Sequence, residues 1–138
     1  TPKDVIVENL GDSINTEYAD FSSNISLDGR ALYFTSRRPW EDGASNGFRD
    51  PLLNHYSEDI YTSSIADNDT WKSPSRMDMC KPQFNEASVS VSIDERRVYT
   101  YNDKKGQGDI YFSDLKNGSF SPIAPVGKSG VNTVGLVQ

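Results

Sequence analysis

The chain has 138 residues, one histidine and one cysteine, with a formal net charge of −6 and a pI near 4.7. That length suits one domain with a modest core. The acidic balance and the lack of a basic stripe argue against a nucleic-acid partner, because no cationic surface is present to replace phosphate counterions. No apolar run approaches the roughly 18 residues of a bilayer span, and Cys80 alone can form no internal disulfide. The chain opens on Thr1-Pro2 rather than Met, which reads as a processed or excised piece.

Taken in order, the first apolar run is Val5-Ile6-Val7, followed by Leu10-Gly11. Residues 14–38 then read as strand, tight turn, strand. Ile25 and Leu27 alternate with polar residues, Asp28-Gly29 marks a two-residue hairpin loop, and Ala31-Leu32-Tyr33-Phe34-Thr35 is a run of strand formers. This passage recurs at residues 86–102. Asp20 maps to Glu86, Asp28 to Asp94 and Tyr33 to Tyr99, all at one offset of 66 positions.

A third strand follows each hairpin: Asp59-Ile60-Tyr61-Thr62-Ser63 in the first unit and Asp109-Ile110-Tyr111-Phe112-Ser113 in the second. A turn comes next. Trp71 with Pro74, or Phe120 with Pro122, then opens an outer strand, where proline breaks no ladder bond. The units differ in one place. Asp28 to Asp59 is 31 positions and Asp94 to Asp109 is 15, so the first unit carries 16 extra residues, within 39–56. Their composition predicts a loop, and long loops usually bind something or stay mobile. A bare version exists in the second unit, so the insertion is expected to be dispensable for folding. No apolar residues stand at helical spacing, so no helix is expected.

Two units of four short antiparallel strands predict an all-β chain built of two β-propeller blades, part of a larger or oligomeric propeller. The first blade spans about 14–79 and the second about 80–130, and residues 131–138 begin a further repeat. Ile110, Tyr111 and Phe112 predict sheets that are apolar on both faces. Val89, Val91 and Ile93 alternate with serines, as suits an inner strand beside a channel.

Ile14-Asn15-Thr16, the Asp28-Gly29 turn, Leu32-Tyr33-Phe34, Ser36-Arg37-Arg38, Asp59-Ile60-Tyr61 and Trp71 resemble the WD40-like repeats of the TolB type, also called PD40 repeats. The resemblance covers nearly the whole chain. Arg37-Arg38-Pro39, Gly47, Asp50-Pro51 and residues 56–61 are most similar to Bacteroidetes envelope proteins in which such repeats lie between a tetratricopeptide region and an OmpA-like domain. The second unit departs from the pattern, with Glu95 for the turn glycine, Thr100 for the phenylalanine and Phe120 for the tryptophan. The resemblance implies a propeller of about six or more blades. It also implies a periplasmic or outer-membrane-associated location and a non-enzymatic scaffold that meets protein partners of the envelope. Two other expectations stand beside it: a glycan or small-ligand module using the insertion, and a propeller accessory to a separate hydrolase domain.

The binding candidates are Arg37, Arg38, Trp40, Asp50, His55 and Tyr56. Arg and Trp are the types most enriched at interfaces. The plainer reading is that Arg37 or Arg38 pairs with a carboxylate such as Glu58 and pins the loop. Gly43-Ala44-Ser45-Asn46-Gly47 has the spacing of a nucleophile elbow but lacks the strand before and helix after that expose the serine. No catalytic residue, cofactor or metal is therefore expected. His55 is the only histidine and makes a poor metal site by itself. Asp42, Asp50, Glu58 and Asp59 offer oxygens to a hard cation such as Ca²⁺ but lack EF-hand spacing. Asp59 and Asp109 recur at one position, which predicts a structural job at a turn. Cys80 and the Met77-Asp78-Met79 alternation read as packing residues.

Overall fold

The computed structural model describes residues 4–41, 49–104, 106 and 108–127. The glycine-serine segment 43–47, Asp42 and residues 131–138 lie outside the described residues. Among the described residues there are eleven strands and no helix. In chain order they are β1 (Asp20–Ile25), β2 (Ala31–Ser36), β3 (Arg49–Asp50), β4 (His55–Tyr56), β5 (Asp59–Ser64), β6 (Ser75–Arg76), β7 (Glu86–Val91), β8 (Arg97–Asn102), β9 (Asp109–Lys116), β10 (Ser119–Phe120) and β11 (Ala124–Pro125).

Two larger antiparallel sheets with the same order of elements result, beside the two-stranded ribbon β3-β4. The first runs β1-β2-β5-β6, and the second runs β7-β8-β9 with β10 and β11 both on the outer side of β9. The outer strand expected from the sequence is broken in both sheets. In the first, an isolated Ile65–Trp71 bridge precedes β6; in the second, β10 precedes β11. Pro74 and Pro122 lie in the two breaks, where a missing N–H interrupts the ladder.

The hairpin turn differs from the two-residue loop read from Asp28-Gly29. The turn is closed by Gly29 N–H on Ser26 O, and Gly29 itself sits at φ 71° just after it. The same turn forms at residues 92–97, where Glu95 takes φ 58° without being glycine. Tyr33 on the first sheet donates its hydroxyl to Glu95 Oε1 at 3.0 Å, which offsets part of that conformational cost. Burial, then the bond to Glu95, pushes the Tyr33 hydroxyl up to about 12, so it stays a donor.

The β9–β10 connection is a two-residue loop, Asn117-Gly118, with φ values of 51° and 81°. Positive φ at both positions is the geometry that matches strand twist in a tight hairpin. A Cβ added at Gly118 would meet nothing within 4 Å. Gly118→Ala should therefore cost only the backbone term, about 1–2 kcal/mol, read as a lower denaturant midpoint with an unchanged slope.

The sheets stack face to face, with β7 packed against β1, β2 and β5. Tyr33 and Ile60 of the first sheet meet Val98 of the second, together with Met77, Met79 and Cys80 from the connection between them. The bulge between Ser88 and Ser90 breaks the serine alternation expected of β7, so Ser88 and Val91 both face this seam. Ser88 N–H donates to Thr35 Oγ1 at 2.9 Å, and Ser88 Oγ donates to Ser22 O at 3.1 Å. A serine allows close approach there and satisfies the groups that approach buries. The other face of the first sheet, with Leu32, Phe34 and Tyr61, is covered by Ile14 from the segment before β1.

The insertion is more than a loop. It contains the ribbon β3–β4, and its first aromatic, Trp40, is buried. The expectation that residues 39–56 are dispensable is thereby revised, since their removal would take a core side chain.

Candidate functional site

The six binding candidates fall into two groups. Arg37, Arg38 and Trp40 follow β2 and turn toward the protein. Arg37 Nη2 meets Glu58 Oε1 at 2.6 Å, the pinning pair that the plainer sequence reading describes. Arg38 is buried, stacked over Phe34 and Tyr61, and it donates to Ile14 O and Asp20 Oδ1. Trp40 donates Nε1–H to Asp59 Oδ2 at 2.8 Å, and the Arg76 guanidinium lies 3.3 Å from its ring centroid.

Asp50, His55 and Tyr56 belong to the ribbon. Asp50 Oδ1 accepts the N–H groups of Leu52 and Leu53, which holds its carboxyl below the usual value. His55 Nδ1 lies 3.1 Å from Tyr56 O. Tyr56 packs edge-on against Tyr18, with Arg49 over its ring. Leu52 and Leu53 stand exposed at the ribbon tip. Their exposure has no signature in the sequence, because the insertion has no apolar periodicity to flag an exposed pair.

A polar cavity of about 480 Å³ lies beside the first group, lined by Asp12, Thr16, Arg38, Glu41, Tyr61 and Arg76 among others. Its two guanidinium groups face two carboxylates. The lining thus balances charge and does not select a strongly anionic ligand.

Asp20 anchors Arg38. Its Oδ1 accepts from Ser36 Oγ at 2.6 Å and Arg38 Nη2 at 2.9 Å, and its Oδ2 accepts from Thr16 N and Oγ1. Burial opposes ionisation, yet the bonds from Ser36, Thr16 and Arg38 outweigh it and hold the carboxyl below its ordinary 3.8. A depressed acid stabilises the fold above its unfolded value, and the contribution is lost as pH falls through the folded value. Asp20→Asn should cost about 2 kcal/mol at pH 7. The gap between wild type and variant should close below about pH 4, as denaturant unfolding at pH 7 and pH 3 would show.

The proposed hard-cation group does not assemble among the described residues. Asp50 caps the ribbon turn, Glu58 pairs with Arg37, and Asp59, at the start of β5, meets Cys80 and Glu86 instead. The shared job expected for Asp59 and Asp109 also fails. Asp59 is fully buried and bonds Trp40, whereas Asp109 begins its strand half-buried and has no Trp40 counterpart, because only the first unit carries the insertion. In the seam Asp59 lies with Cys80 and Glu86. Burial pushes Asp59 up to about 6, against the pull of the Trp40 bond and Arg76. It pushes Glu86 up to about 8, against the Lys81 N–H bond, and raises the Cys80 thiol as well.

No protein-family model matches the chain, and neither a curated protein nor a solved structure matches it. No helix of the described residues is long and apolar enough to cross a membrane.

Proposed function

We propose that the two sheets are successive blades of a β-propeller, and that the chain acts as a non-enzymatic protein-interaction scaffold of the bacterial cell envelope. One observation carries this reading: the sheets are equivalent and stack in one direction. Tyr33, Thr35 and Ile60 lie on the face of the first sheet that the second sheet covers. Their counterparts in the second sheet are Tyr99, Tyr101 and Ile110, which share a face with Phe112 by register. All four are half-buried, and no further sheet packs on them among the described residues. Tyr101 lies so close over Gly108 that a Cβ there would meet its ring at 1.8 Å. An apolar face of this kind, on which the Arg97 guanidinium lies 4.1 Å from the Phe112 ring centroid, is what a next blade would cover.

The same equivalence runs in the other direction. Leu10-Gly11 stands 66 positions before Arg76-Met77, so residues 5–10 correspond to the outer strand of a preceding sheet. Val5, Ile6 and Val7 are exposed at 68%, 81% and 92%, as an outer strand awaiting its neighbour would be.

The interaction role draws on a repeated feature of one rim. Leu27 and Ile93 occupy the same turn position in the two hairpins and are exposed at 82% and 79%. An apolar side chain held in water at the same turn of each repeat is the contact point that such a role would use. A glycan-binding role for the insertion has weaker support, because Trp40, its stacking residue, faces inward. The envelope location rests on the family resemblance. The test is capture from envelope extract with the immobilised protein, compared with a Leu27→Asp/Ile93→Asp variant. A stoichiometric protein retained only by the parent supports the reading. Equal capture by both, or none by either, counts against it.

A further inference from the structure

Asp59, Cys80 and Glu86 come together in the seam from distant parts of the chain, and the scaffold role does not use them. Asp59 opens β5, Glu86 opens β7, and Cys80 lies in the connection between the sheets. Their relative exposures are 0%, 4% and 1%. One ligand atom of each, a carboxylate oxygen, Sγ and a carboxylate oxygen, lies within 4.8 Å of the other two.

An acidic cluster alone would not define a site. Here a second observation concerns the same cluster: Asp59 Oδ1 is buried and has no hydrogen-bond partner among the described residues. A buried carboxylate oxygen left so is costly, and such groups normally hold a proton or a cation. The first sheet shows how the fold otherwise handles this position. The counterpart of Glu86 is Asp20, which Arg38 neutralises, and the counterpart of Cys80, also 66 positions earlier, is the apolar Ile14. In the second sheet the residue equivalent to Arg38 is Lys104, whose ammonium lies 4.7 Å from the Tyr111 ring centroid. A thiol thus replaces a hydrocarbon next to the carboxylate, and the paired arginine is missing.

We propose that Asp59, Cys80 and Glu86 bind a divalent transition-metal ion of the zinc class, which fastens the two sheets together at their seam. One thiolate with two carboxylate oxygens favours zinc-like ions over calcium or magnesium, which take oxygen alone. Tetrahedral zinc–sulfur and zinc–oxygen bonds of about 2.3 and 2.0–2.2 Å set the donors roughly 3.4–3.6 Å apart, so binding draws together three atoms that already lie within 4.8 Å of one another. Of the two Asp59 oxygens, Oδ2 keeps the Trp40 N–H, and Oδ1 can supply a lone pair without breaking a bond among the described residues. Glu86 keeps its bonds from Asn102 Nδ2 and Lys81 N–H, which orient it as outer partners orient metal ligands. On binding, the Cys80 S–H and the Glu86 carboxyl give their protons to solvent as the metal–sulfur and metal–oxygen bonds form; no electron is transferred. A cavity of about 250 Å³ lined by Met79, Lys81, Phe84, Glu86 and Asn102 among others provides the entry path.

The experiment uses the full chain, stripped with chelator and titrated with Co²⁺ alone, then Zn²⁺ alone. One equivalent of Co²⁺ should produce a near-ultraviolet thiolate-to-cobalt band and intense visible bands of tetrahedral cobalt. Zn²⁺ should abolish both and raise the unfolding temperature. Cys80→Ser should lose the near-ultraviolet band. Asp59→Asn, which keeps an oxygen for the Trp40 N–H and whose folding is checked by its unfolding transition, should weaken Co²⁺ binding at least tenfold. A folded parent with no thiolate band and no zinc-dependent shift overturns the proposal. So does a zinc-dependent shift that persists undiminished in Asp59→Asn, because it would place the metal elsewhere.

Discussion

Trp40→Ala should destabilise the chain by about 3–5 kcal/mol, the range for deleting a large buried aromatic. The side chain is 9% exposed, so most of its apolar area leaves water on folding. Its ring carries the Arg76 guanidinium at 3.3 Å, a desolvated cation–π contact. Its Nε1–H is the hydrogen bond on Asp59 Oδ2, whose other oxygen already lacks one. The truncation therefore opens a cavity and strands a buried carboxylate at once. Trp40→Phe separates the two effects, because it keeps most of the ring and loses the N–H, at about 1–3 kcal/mol. Denaturant unfolding in the presence of chelator measures both. A loss below 1 kcal/mol for the alanine variant would place Trp40 on the surface.

Ile60→Ala should cost about 2–5 kcal/mol for a different reason. Ile60 is 0% exposed and lies in the seam, against Tyr33, Val98 and the Met77–Cys80 connection. Its loss loosens the two sheets from each other rather than one sheet internally. The unfolding slope should therefore fall along with the midpoint, as the sheets begin to part separately. Ile93→Ala at the exposed hairpin tip should stay within about 0.5 kcal/mol. Equal costs for the two isoleucines would mean that the sheets do not share a core.

Much of the fold was legible in the sequence because it is written twice. The 66-position offset gave both hairpins, and Asp-Ile-Tyr gave both third strands. These signals are local, set by turn chemistry and alternation. The missed features are all non-local. Trp40 sits in a stretch whose composition says loop, and only the placement of Asp59 across the sheet draws it inward. Glu95 looked like a defect in the turn until Tyr33, 62 positions away, supplied a bond to it. The seam cluster was invisible for the same reason: Asp59, Cys80 and Glu86 have no ligand spacing in sequence, and it is the stacking of two sheets that brings them together. Of the binding candidates, Arg37 could be paired with Glu58 from charge alone. The inward turn of Arg38 required knowing that Ile14 and Asp20 cover that face.

The central claim is that the second sheet presents a blade face that another sheet must cover. Sedimentation equilibrium of the 138-residue chain at low concentration tests it most directly, with Phe112→Asp as the paired variant. Phe112 lies on that face beside Tyr99, so a neighbouring sheet would have to bury the new carboxylate. The account predicts association beyond the 15.4 kDa of one chain, abolished by the aspartate. A cooperatively folded, soluble monomer of 15.4 kDa, unchanged by Phe112→Asp, would contradict it.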